Sequence, residues 1–162
     1  MLAAIENELG ENDPLLRLAS MLRPDIGVAE AVAERFRLSR EERERLAALV
    51  APKIPVTVTG DATIHRRELY RLGSARYRDL AFLAWADSPA ANDSRFQAML
   101  TSMQEWKPKE LPIKGRDVLA LGIENGPKIG GFLRRIEEWW IDNDFAPDRA
   151  ACLEKLRKLA AH

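Results

Sequence analysis

Five arginines fall in the run His65-Arg66-Arg67-Glu68-Leu69-Tyr70-Arg71-Leu72-Gly73-Ser74-Ala75-Arg76-Tyr77-Arg78, against a single glutamate. A guanidinium is a planar fork of N–H donors that grips phosphate oxygens in pairs, so such a cluster suits a phosphate backbone. Arg67, Arg71 and Arg78 recur at four- and seven-residue spacing, close to one face if a helix runs unbroken across Gly73. Arg66 and Arg76 add to the same cluster. A solvated face whose arginines pair with nearby acids fits the pattern equally well.

A second candidate lies in Gly115–Phe145, which holds five of the nine glycines (115, 122, 126, 130 and 131) and Trp139-Trp140. Gly126-Pro127 suits a helix start, because the first helical positions need no backbone donor. Exposed N–H groups there can meet a phosphate with no side chain in the way. Lys128, Arg134 and Arg135 ride on that helix, and Lys114 and Arg116 precede the short helix before it. Gly130 and Gly131 cost helical stability relative to alanine, which predicts that something packs or binds close to the backbone. The competing reading is a tight helix–helix corner. Arg149, Lys155, Arg157 and Lys158 form a looser basic patch, of the kind that the helix dipole favours at a C-terminus. Trp139 offers a stacking surface, whereas Trp140 continues a buried stripe with Ile129, Phe132, Leu133 and Ile136.

Nucleophilic and metal chemistry find little support. His65 and His162 make no metal pair and no triad with Cys152, whose neighbours Leu153 and Leu156 point to packing.

The elements that must position these residues read as helices throughout. Asp13-Pro14 starts a helix with Leu15, Leu16, Ala19 and Leu22 on its apolar face, within a helical stretch 1–22, and Pro24 ends it. Val28–Phe36 forms the next helix, and Ser39-Arg40-Glu41-Glu42 is a capping box before Leu46, Leu49 and Val50. Ile54–Gly60 alternates like a strand but has no second strand to pair with, so it reads as an extended linker. Asp61 or Thr63 caps a helix running to Gly73, and Ser74 caps a strongly apolar and central one through Trp85. Asp93 or Ser94 starts the next, and Asp148 caps the last. The expected fold is all-α, a multi-helix array of antiparallel helices, with a helical body over 1–107 and a helical tail over 108–162.

The run G-x-D-V-L-x-L-G-I-x-x-G-P-x-I-G-x-x-L, followed by E-x-W-W-I-x-x-D-F, resembles the C-terminal tail of bacterial CCA-adding tRNA nucleotidyltransferases and related poly(A) polymerases. DPLLRLASMLRP at 13–24, VAERFRLSREERERLAAL at 32–49 and LYRLGSARYRDLAFLAWA at 69–86 are similar to the same family. The resemblance covers nearly the whole chain but only the family's helical C-terminal portion. Gly73-Ser74 and Asp142-Asn143-Asp144 echo signatures of the catalytic head, yet lie far apart and outside the turn-and-strand setting that grips a triphosphate. The family's Glu-Asp-x-x-Arg base-reading motif is absent.

The resemblance therefore implies a non-catalytic, tRNA-backbone-binding portion of a transferase, and no enzyme in this chain alone. Its RNA-binding residues would be Arg66, Arg67, Arg71, Arg76, Arg78, Lys114, Arg116, Gly126, Lys128, Gly130 and Arg134. It implies no cofactor here, with magnesium and CTP or ATP held only by the missing head, and tRNA and that head as partners. A helical protein-interaction or scaffold module without an RNA role is the alternative.

Composition bounds both readings. The 162 residues are 46% hydrophobic and 31% charged, ordinary for a globular protein. The formal net charge is zero, so an RNA surface must be a local patch. Residues 1–50 carry net −3, whereas 51–106 and 107–162 carry +1 and +2. Glu6 and Glu8 spoil a signal-peptide reading, and a single cysteine suits a reducing cytoplasm with no membrane partner.

Overall fold

The computed structural model describes residues 12–58, 60–87, 94–123 and 126–161. The expected helix over 1–11, the Asp93 cap, the connector at 124–125 and His162 lie outside those residues. Among the described residues there is no strand, and the chain is all-α. It divides into two compact units, 1–106 and 107–162.

In the first unit the helices are α1 (Pro14–Leu22), α2 (Ile26–Arg35), α3 (Arg40–Val50), α4 (Ala62–Leu72), α5 (Ser74–Ala86) and α6 (Ser94–Glu105). Local chemistry sets most of their starts. The Asp13 carboxylate accepts the N–H groups of Leu15 and Leu16, Asp25 that of Val28, and Asp61 those of Thr63 and Ile64. Ser39 and Glu42 form the reciprocal capping box that the sequence predicts. Helix α2 starts two residues earlier than expected, because Asp25 supplies the cap. Residues 54–58 are neither helix nor strand, as expected of a linker.

Helix α5 is the central element. Tyr77, Leu80, Ala81, Phe82, Leu83 and Trp85 are buried on all sides of it, the mark of a helix enclosed by others. It packs on α1, α4 and α6, while α3 packs on α1 and α2. Trp85 stacks on Phe96 of α6, with ring centroids 5.1 Å apart. Each fully buried Leu or Met here contributes about 1.5–3 kcal/mol relative to exposure.

The second unit holds α7 (Gly115–Leu119), α8 (Gly126–Asp142) and α9 (Arg149–Ala160). Its buried residues include Ile113, Val118, Ile136, Trp140, Ile141, Cys152 and Leu156. Gly122 takes φ 79° after α7, the left-handed residue expected of a helix end. Helix α8 ends with Asp144 and Phe145 both at positive φ, where the Phe145 N–H returns to the Trp140 carbonyl at 3.0 Å. The Phe145 ring meets Trp140 edge-on at 5.0 Å, and the Trp140 indole N–H donates to the Pro147 carbonyl at 3.0 Å. Trp140 is therefore core, as its place in the stripe predicts. Asp148 caps α9 through the Ala151 N–H.

Candidate nucleic-acid interface

Helix α4 fixes one face of the arginine cluster by burying the other. His65, Glu68 and Leu69 are buried. The Tyr77 hydroxyl lies 2.9 Å from His65 Nδ1, and the Glu68 carboxylate accepts the Thr57 N–H at 2.9 Å, which ties the extended linker to α4. Burial, with the Glu68 charge adding to it, pushes the Tyr77 phenol well above its ordinary range. Arg66 and Arg67 are half-buried beside that core, and Arg66 donates to the Thr63 hydroxyl at 3.2 Å. Arg71, in the last turn, is exposed.

At Gly73 the helical path breaks. Its φ of 77° and ψ of 156° suit glycine alone, and α5 starts at Ser74 with Gly73, not Ser74, at the cap position. The seven-residue spacing from Arg71 to Arg78 is therefore not a helix face. Arg78 is half-buried and reaches the Asp79 carboxylate at 3.3 Å. The elbow instead brings Arg71 and Arg76 to one groove of about 550 Å³, which Lys53 and Glu44 also line. Asp79 is held by Arg45 at 2.6 Å, and Arg45 also reaches Asp13 at 2.5 Å. Asp79 is thus shared between Arg45 and Arg78 of the cluster.

In the tail unit the glycines of α8 face open space. An added Cβ at Gly126, Gly130 or Gly131 meets no described atom within 4 Å, and all three are exposed. Of the expected packing or binding close to the Gly130-Gly131 backbone, the packing is not found among the described residues. Gly126, Gly130 and Arg134 recur every four residues on the exposed side of α8, with Lys128 and Arg135 also exposed. Ile129 turns the other way, and its Cγ2 lies 3.5 Å from a Cβ placed on Gly115. Lys114 and Arg116 are exposed on either side of Gly115.

Two further basic residues of the tail do structural work. Arg149 leaves the loose C-terminal patch to clasp Asp117 at 2.5 Å and the Pro112 carbonyl at 2.7 Å. The Arg149 hydrogen bond, followed by the Lys114 N–H at 2.8 Å, holds the Asp117 carboxyl below its ordinary value. Lys155 lies over the half-buried Trp139 ring at 5.6 Å, a cation–π contact that occupies the proposed stacking surface. Burial first, and then the Asp148 charge, raise the Cys152 thiol, so it is a packing residue. The Arg45 and Arg149 clasps escaped sequence reading because their partners lie 32 and 34 positions away.

No family model matches the chain. Sixty residues, 37% of the chain, are 28% identical to "CCA tRNA nucleotidyltransferase 1, mitochondrial" of Mus musculus, and the Homo sapiens protein of that name matches equally. The match covers 14% of each relative, so the chain corresponds to a small fraction of their length. The chain is thus distantly related to CCA tRNA nucleotidyltransferases, and these relatives are mammalian, not bacterial. No helix among the described residues is long and apolar enough to cross a membrane.

Proposed function

We propose that this chain is a non-catalytic, tRNA-holding helical portion of a CCA-adding or poly(A)-adding nucleotidyltransferase. It grips the phosphate backbone so that the RNA 3′ end reaches a catalytic head that lies outside this chain. The observation that carries the reading is the bare glycine surface of α8, where Gly126, Gly130 and Gly131 lie open beside Lys128 and Arg134. Helix starts with unobstructed backbone suit phosphate, and folded RNA is commonly held by shape and phosphate contacts. The distant relationship to enzymes named for tRNA supports tRNA as the ligand.

Within the body unit, Arg71 and Arg76 take the phosphate contacts, and Arg66, Arg67 and Arg78 lend positive potential behind them. Lys114 and Arg116 do the same in the tail. Magnesium and CTP or ATP belong to the head in this reading. In this reading the protein works in the cytoplasm.

Gly130→Glu tests the reading. The added side chain enters open space, and glutamate is a better helix former than glycine, so helicity stays at or above wild type. Affinity for a tRNA lacking its CCA end should fall at least tenfold. Equal binding by the variant would remove α8 from the grip.

A further inference from the structure

The groove beside the Gly73 elbow has a composition that phosphate contact alone does not require. Much of its lining is apolar: Ala47 and Ala48 of α3 and Ala51 just after it carry only methyl groups, and Leu80 of α5 lines it too. Ile54 of the linker, an exposed apolar side chain, stands at its edge. Lys53, Arg71 and Arg76 line it together with Glu44, which accepts from Arg40 at 2.8 Å. No side chain caps the first turn of α5, where Arg76 sits, so the positive end of that helix adds to the same field. A volume of about 550 Å³ lies within the range of small-ligand clefts, ~300–1,000 Å³.

Alanine methyl groups beside two guanidinium groups and a lysine match one ligand chemistry closely. The ligand is planar and apolar on its face, polar at its edge and anionic at one end. A stacked duplex offers no such surface, because its bases are covered. An unpaired residue does, since a splayed base can lie on an apolar or guanidinium plane while its phosphates meet arginine and lysine. We infer that this groove holds a single unstacked nucleotide of the bound RNA, with its base against the methyl groups of Ala47, Ala48 and Ala51 and its phosphates on Lys53, Arg71 and Arg76. This rests on the RNA-holding reading and deepens it: the body reads an unpaired position as well as backbone charge.

The full chain, labelled at its methyl groups, is titrated with 5′-AMP, with inorganic phosphate and with decanoate, and the Ala48, Ala51, Ile54 and Leu80 methyl signals are followed. AMP should shift these four together, at a concentration at least tenfold below that needed with phosphate. Arg76→Glu should weaken the AMP response at least tenfold. So should Ala51→Leu, which fills the groove from an exposed position and leaves every cation in place. Phosphate acting as well as AMP would reduce the groove to an anion site and overturn the inference. Decanoate acting more strongly than AMP would replace it with an acyl-ligand site, and no shift with any probe would also overturn it.

Binding of a tRNA lacking CCA, measured on the same samples, separates this inference from the reading beneath it. Salt-sensitive tRNA binding that Ala51→Leu leaves unchanged refutes the nucleotide groove and spares RNA holding. AMP binding without tRNA binding refutes both the RNA reading and the assignment of the groove to an RNA strand.

Discussion

The same substitution, glycine to alanine, should act with opposite sign at two positions of this chain. At Gly73 the backbone sits at φ 77° and ψ 156°, a region where an L side chain costs about 1–3 kcal/mol. No atom lies within 4 Å of the added Cβ, so the whole effect is backbone strain, with no collision and no new packing. Replacing glycine also restricts the unfolded chain, which returns about 0.4–1 kcal/mol. The net expectation for Gly73→Ala is a loss of about 1–2 kcal/mol. Gly131 lies within α8, exposed, and an added Cβ there also meets open space. Here Gly131→Ala removes only the helical penalty of glycine and should gain about 0.5–1 kcal/mol. Because the chain has two compact units, one global midpoint would blur the two effects. Native-state amide exchange reads them separately, in α4 and α5 for the first variant and in α8 for the second. Protection should fall about five- to thirtyfold for Gly73→Ala, since 1.4 kcal/mol is a factor of ten. It should rise for Gly131→Ala. Unchanged or raised protection at the elbow, or lost protection in α8, would refute the assignment of these glycines.

Other outcomes follow from the charge and burial pattern. Asp117 has its carboxyl lowered from 3.8 by Arg149 and the Lys114 N–H, so its contribution is complete above the unfolded value and lost as pH falls through the folded one. Acid titration of tail-unit stability should therefore steepen below about pH 4, and Asp117→Asn should flatten that limb while lowering stability at pH 7. Removing Arg71 and Arg76 together should reduce the slope of log affinity against log salt for tRNA by about 1.4–1.8, two phosphates' worth. Cys152, buried and with a raised thiol, should resist iodoacetamide at pH 8 in the native chain and react once urea unfolds the tail.

What the sequence disclosed was local. Ser39 with Glu42, Asp61 and Asp148 act within three residues of themselves, and each caps the helix that its spacing announces. The apolar density of residues 77–85 marked α5 as the enclosed helix, and the 3/4 stripe ending in Trp140 marked the inner face of α8. The elbow at Gly73 was not legible as an interruption of the arginine face, because a glycine between two helical stretches specifies no direction. Nor did the sequence distinguish a glycine that admits a neighbour from one that faces solvent. Something was expected to pack or bind close to Gly130 and Gly131, and the described packing against α7 falls on Ile129 instead. Ion pairs between distant residues leave no periodic trace, so Arg45 with Asp13 and Asp79, and Arg149 with Asp117, emerge only from the fold. The groove of Lys53, Arg71 and Arg76 is of this kind, since it draws on α2, α3, the linker, α4 and α5 at once.

The most direct test of RNA holding is the affinity of the intact chain for a tRNA lacking its CCA end, measured between 50 and 200 mM salt. If Arg71, Arg76, Lys128 and Arg134 each neutralise one phosphate, the slope of log affinity against log salt should be about −3, a loss of roughly 50–100-fold across that range. Binding that is absent at 50 mM salt, or that does not change with salt, would contradict a phosphate grip and turn the search toward a protein partner.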